Sequence, residues 1–151
     1  MKRFTLFLLL AVFNTYSQNL FSDVDSTLLL KAEVLAKEIL IVDTHIDLPD
    51  WLYDEWFDVS VKSENGEFDF ERAIDGGLNV AFMSIYTAPK LEAEGKSKIK
   101  ADSLIKLVEN LELLWPDKFK IVKKVSEIRN QNAVDQILLA MGMENGSPIE
   151  G

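Results

Sequence analysis

The chain has 151 residues, 48% of them hydrophobic and 27% charged, with nine Phe, three Trp and three Tyr; this is enough apolar material to fold around a core, which excludes a disordered polar tract. Its formal net charge of −9 disfavours nucleic-acid phosphates and anionic lipid surfaces, where Lys and Arg supply most of the attraction. With no cysteine in the sequence, there is no disulfide framework and no thiol to acylate.

Residues 1–17 open on Lys2-Arg3, continue as an apolar run from Phe4 to Phe13 and reach the small residues Thr15 and Ser17. That pattern predicts a signal peptide cleaved after Ser17, and so an exported product, periplasmic, cell-envelope or extracellular. The run is about half of the roughly 20 residues that span a bilayer, so a transmembrane protein is not expected. Loss of Lys2 and Arg3 with the leader, which contains no acid, would carry the net charge from −9 to −11.

Asp25 and Ser26 are capping residues for a helix over 26–38, where leucines, alanines and Val34 recur at helical spacing. It runs into Ile39-Leu40-Ile41-Val42, which reads as a strand buried on both faces. The polar residues at 43–47 then lie at its C-terminal end. From 50 to 69 the chain alternates polar and aromatic residues, with Asn65-Gly66 as a turn signal, and reads as a long loop. "FDFERAIDGG" predicts a short helix stopped by Gly76-Gly77, and 79–87 a second strand.

Apolar residues from Ile99 to Leu114 recur at three- and four-residue spacing, as in a long amphipathic helix. "FKIVKKV" reads as a short side strand, a helix starts at Ser126, and 136–143 is a third buried strand ending at Glu144-Asn145-Gly146. The lysines at 96, 98, 100, 118, 120, 123 and 124 are interleaved with acids and read as a solvated face. Alternating strands and helices imply a parallel α/β sheet whose polar strand ends point the same way.

Side chains alternate along a strand, so Asp43, His45 and Asp47 would share one side if the extended geometry continues through them. One imidazole and neighbouring carboxylates suit a divalent metal, and Glu144 at another strand end could add a carboxylate. Each has an ordinary reading beside this one. His45, the single histidine, would be a satisfied polar residue, Asp43 a loop cap or an outer hydrogen-bond acceptor, and Glu144 a turn carboxylate. Trp51, Trp56 and Phe57 would line a pocket or cover the core.

"IVDTHIDLPDWL" resembles the first strand of the membrane dipeptidase family (renal dipeptidase-like metallopeptidases), in which His-x-Asp followed by Leu-Pro binds zinc. "FDFERAIDGGLNVAFMSIYT" resembles the family's second βα region, closing on a serine and an aromatic, Tyr86. "ILLAMGMENGSPIEG" resembles the third strand with its terminal glutamate. The resemblance implies the first three βα units of a (β/α)8 TIM-type barrel, incomplete in this chain. It further implies a two-zinc site at the C-terminal face, with His45 and Asp47 on one zinc and Glu144 bridging both, beside which Asp43 keeps its own reading as an outer partner. Trp51 and Tyr86 become candidates for the substrate pocket, and the expected reaction is hydrolysis of dipeptides by a metal-activated water.

Many relatives have glycine where this chain has Asn145. The family's second zinc takes two later histidines, whereas no histidine follows His45 here. The sequence therefore reads as a leader at 1–17 and an amino-terminal portion of a dipeptidase at 18–151, holding at most one zinc and inactive alone. Homodimer formation and membrane anchoring are left open. The rival reading is a non-catalytic, acidic, secreted binding module.

Overall fold

The computed structural model describes residues 25–129 and 135–149. The leader read at 1–17 and the end of the helix read after Ser126 lie outside the described residues. The chain falls into two units that part between Leu35 and Ala36. Helix α1 (Ser26–Glu38) runs across that division. At its start the Asp25 carboxylate accepts the Thr27 N–H at 2.8 Å, satisfying a donor that the first turn leaves open.

The second unit is built on four parallel strands, β1 (Ile41–Ile46), β2 (Leu78–Ile85), β3 (Phe119–Ile121) and β4 (Ile137–Met143), in the order β1-β2-β4-β3. Consecutive strands are joined through helices α2 (Leu48–Asp54), α3 (Phe70–Asp75), α4 (Pro89–Ala93), α5 (Ser97–Leu114) and α6 (Val125–Arg129). This is a parallel α/β architecture of consecutive βα units, with β3 as the short side strand.

Apolar runs in β2 and β4 place residues on both faces of the sheet. Ala81, Met83, Ile85, Ile137 and Leu139 pack with Leu104, Val108 and Leu111 of α5 and with Leu48 and Leu52 of α2. Val80, Leu138, Ala140 and Val122 form a smaller cluster. Burying each large side chain contributes about 1.5–3 kcal/mol, so these two clusters dominate the stability of the sheet.

Four readings of the sequence are corrected. The strand read at 39–42 begins at Ile41, and Val42 to His45 are exposed because β1 is an edge strand with β2 on one side only. A short apolar run cannot distinguish an edge from a centre.

The loop read from residue 50 begins as helix α2 instead. Asp47 stands at its N-cap position, Pro49 occupies the first turn, and Leu48, Pro49 and Leu52 are buried. Proline suits that position because its missing N–H would have no partner there.

Helix α4 was not anticipated; it starts on a proline, Pro89. The lysines, finally, are not all solvated. Lys100 Nζ lies 2.8 Å from Asp50 and 3.3 Å from the centre of the Tyr53 ring, pinning α5 to α2. Lys118 Nζ donates to the Ser60 carbonyl at 2.6 Å.

Helix α3 is held at both ends. Asp69, fully buried, accepts the backbone N–H of Arg72 at 2.8 Å, that of Ser63 at 3.1 Å and the Arg72 Nε–H at 2.6 Å. At the other end Lys37 Nζ donates to the carbonyls of Ile74 and Asp75 at 2.6 and 2.9 Å. Gly77 then turns the chain into β2 with φ +81°, its Cα facing the Ala36 carbonyl at a distance that leaves no room for a Cβ.

Gly77→Ala therefore combines a left-handed backbone with a clash against backbone. It should cost on the order of 2 kcal/mol or more in urea unfolding of the full chain. Asp69 supplies a pH signature. Burial opposes its charge, but the N–H groups of Arg72 and Ser63 and the Arg72 guanidinium outweigh burial and hold the carboxyl below its ordinary 3.8. A depressed folded pKa means that the stabilisation is present above the ordinary value and is lost as pH falls through the folded one. Asp69→Asn should thus be less stable than the parent at neutral pH, and the gap measured by urea unfolding should narrow below pH of about 4.

Candidate metal centre

The end of β1 is not a regular strand. Asp43 lies opposite Ala81 and Ile46 opposite Met83, so three steps of β1 match two of β2 and the register shifts. Asp47 has left the strand, with φ −82° and ψ 15°. The alternation that would put Asp43, His45 and Asp47 on one side is interrupted here.

His45 and Asp47 come together here, with His45 Nε2 3.1 Å from Asp47 Oδ1. Glu144, just past β4, reaches the same place from across the sheet. Its Oε2 lies 3.6 Å from His45 Nε2, and its backbone N–H donates to the Ile85 carbonyl at 3.3 Å. One ligand-capable atom from each of His45, Asp47 and Glu144 lies within 4.8 Å of the others. All three side chains are open to solvent.

The donor set fits a divalent cation. Bonds of about 2.0–2.2 Å in a tetrahedral site put ligand atoms roughly 3.4 Å apart, and the two shorter separations here bracket that value. The set is one imidazole and two carboxylates, with a side left free.

Asp43 is engaged locally, its Oδ1 accepting the His45 backbone N–H at 3.0 Å. It also lines a cavity of about 430 Å³ together with His45, Asp47, Trp51, Phe68 and Arg72. Neither Glu144 nor Tyr86 is among the lining residues of that cavity. Trp51 is half-exposed, and its ring lies against Gly66, where a Cβ would be 3.2 Å away. Trp56 turns elsewhere and stacks on Trp115, with ring centres 6.4 Å apart and planes at 9°. Phe57 packs against the core. Of the aromatics at 51–57, Trp51 is thus the tryptophan beside the candidate centre.

Two supports of Glu144 went unread in the sequence. The hydroxyl of buried Ser84 donates to Glu144 Oε2 at 2.7 Å. Beyond Glu144, Asn145 Nδ2 donates to the Thr87 carbonyl at 2.8 Å, and Asn145 Oδ1 accepts from Thr87 Oγ1 at 3.2 Å and from Ser147 Oγ at 2.7 Å. Equal parity of Ser84 in β2 with Gly142 and Glu144 was a signal for the first. It becomes informative only once the register of β2 on β4 is known.

No helix among the described residues is long and apolar enough to cross a membrane. No curated protein matches the sequence. Solved structures do match. The probable dipeptidase PvdM from Pseudomonas aeruginosa aligns with TM-score 0.70 and 18% identity over 84% of this chain and 33% of its own. A metallo peptidase from Rhodobacter sphaeroides, liganded with a phosphinate mimic of the dipeptide L-Ala-D-Ala, aligns with TM-score 0.63 and 20% identity over 73% of this chain and 39% of its own. The metallo peptidase named dipeptidase AC aligns with TM-score 0.62 and 19% identity, over 73% and 38%. These likenesses establish a shared fold, and the chain spans well under half the length of each structure. The sequence model of the family described as membrane dipeptidase (peptidase family M19) matches residues 29–151. With most of its length matched by that model, the chain belongs to the membrane dipeptidase family of peptidases, family M19.

Proposed function

We propose that this chain is the amino-terminal part of an exported, zinc-dependent dipeptidase, with His45, Asp47 and Glu144 as ligands of one zinc ion. The observation that carries the reading is the convergence of their three donor atoms within 4.8 Å at the C-terminal ends of β1 and β4. Export rests on the leader pattern at 1–17. The dipeptide substrate rests on family membership and on the relative that holds a dipeptide mimic.

When bound, zinc supplies Lewis acidity that makes water nucleophilic near neutral pH and polarises a carbonyl. The chain's own residues prepare the place for it. His45 offers Nε2, so it must be neutral there to bind a cation. Asp47 and Glu144 contribute the charge that offsets the ion's, and three protein ligands leave a position for water or substrate, the usual count in a catalytic zinc site. Trp51 and Phe68 give the adjoining cavity its apolar wall, against which a substrate side chain can rest. Tyr86, outside that cavity, has no part in this reading.

A second ion would need ligands beyond His45, Asp47 and Glu144, since one shared carboxylate would not hold a divalent cation by itself. The 151 residues should accordingly bind one zinc and hydrolyse no dipeptide by themselves.

Titration of the full chain with zinc by isothermal calorimetry should give one site. His45→Ala and Asp47→Ala should each weaken it more than the roughly 100-fold typical of losing an outer partner. Absence of zinc binding, or binding indifferent to both substitutions, would overturn the assignment. Zinc-dependent turnover of a simple dipeptide, lost in His45→Ala, would show instead that these residues suffice for catalysis.

A further inference from the structure

We infer that Ser84 is the positioning residue of this centre, fixing the Glu144 carboxylate so that Oε2 is presented beside His45; the inference rests on the zinc site proposed above. The Ser84 hydroxyl lies 2.7 Å from Glu144 Oε2, in the short range of hydroxyl bonds to a charged carboxylate. The same Oε2 is the atom 3.6 Å from His45 Nε2. Oε2 therefore has one lone pair engaged by Ser84 and another left for a cation.

The sheet makes this bond rigid. Ser84 is only 4% exposed and sits opposite Gly142 in the unbroken β2–β4 register. Glu144, two residues beyond Gly142, has the same parity as Ser84. Gly142 brings no side chain between them, and the space where its Cβ would stand is open. A solvent-facing glutamate without such a bond would sample many rotamers, and a cation would then have to order it on binding.

The backbone of Glu144 is held independently, by its N–H on Ile85 and by the bonds between Asn145 and Thr87. Loss of the Ser84 hydroxyl should free the carboxylate without releasing the loop. This separates a positioning role from a structural one.

The test uses the full chain, with zinc affinity read by competition against a chromophoric chelator. Ser84→Ala and Ser84→Val should weaken zinc binding about 10- to 100-fold, and Ser84→Thr, which keeps the hydroxyl, should stay within about threefold of the parent. Metal-free unfolding temperatures of Ser84→Ala and parent should agree within about 4 °C. In a Glu144→Ala background Ser84→Ala should add no further loss, because the hydroxyl acts through that side chain. The Val and Thr variants match in shape and differ in the hydroxyl, so they carry the comparison if Ser84→Ala does not fold. If the parent binds no zinc, or binds it as well with His45→Ala, the zinc site itself fails and this inference with it. If the parent and His45→Ala behave as proposed while Ser84→Val binds like Ser84→Thr, the role of Ser84 alone is refuted. An additional loss from Ser84→Ala on top of Glu144→Ala would refute it too.

Discussion

The parallel ladder between β2 and β4 sets where every other group in the second unit can stand. Val80 to Ile85 face Leu138 to Met143 residue for residue, without a shift. Because the strands are parallel, both C-terminal ends fall on one edge, and Glu144 emerges there beside Ser84. The ladder is stabilised from both faces: Ala81, Met83 and Leu139 are fully buried in the larger core, Val80 in the smaller one. Apolar contributions of about 1.5–3 kcal/mol per large side chain outweigh exposed ion pairs such as Lys98–Asp102, whose like contribute about 0–1 kcal/mol.

The edge strand β1 is less regular than β2 and β4, and the candidate centre uses that irregularity. Register shifts interrupt its pairing on β2 twice, and the second coincides with the stretch from Asp43 to Ile46. An extra residue in an edge strand bends it and re-aims the side chains beyond the bend. Just beyond, the chain enters α2, and Asp47 stands at that helix start within 3.1 Å of the His45 ring. Helix α2 is in turn clamped to α5 through Lys100, which meets both Asp50 and Tyr53. A surface lysine has become a strut behind one wall of the cavity.

The opposite wall depends on buried charge. Asp69 and Arg72 satisfy one another, and Arg72 Nη2 donates to the Gly66 carbonyl at 2.9 Å, closing the 63–72 segment into a compact turn. Asp69 is the buried partner, and its charge is met by the Arg72 side chain together with the backbone N–H groups of Ser63 and Arg72. Gly66, at φ +71°, leaves the space that the Trp51 ring fills. The cavity is therefore shaped by backbone and hydrogen bonding as much as by apolar contact.

Local pattern was enough to read the α/β class, the helices around α1, α3 and α5, the strands β2 and β4 and the short β3, because each carries its periodicity or its stop signals within a few residues. The same holds for His45, Asp47 and Glu144 as residues of interest, whose surrounding motifs are contiguous in the chain. What the tertiary structure decided is everything that needs two distant segments at once. The exposure of β1 follows from its place at the sheet edge, which no run of apolar residues encodes. The register shift between Asp43 and Ile46 is defined by pairing against β2, so alternation counted along β1 alone does not show it. Lys100 left the solvated face because α2 lay across α5, and Ser84 acquired a partner sixty residues away only when β2 and β4 came into register. Side-chain chemistry is carried by the sequence, but distances between segments are set by packing, and the candidate centre is a matter of distances.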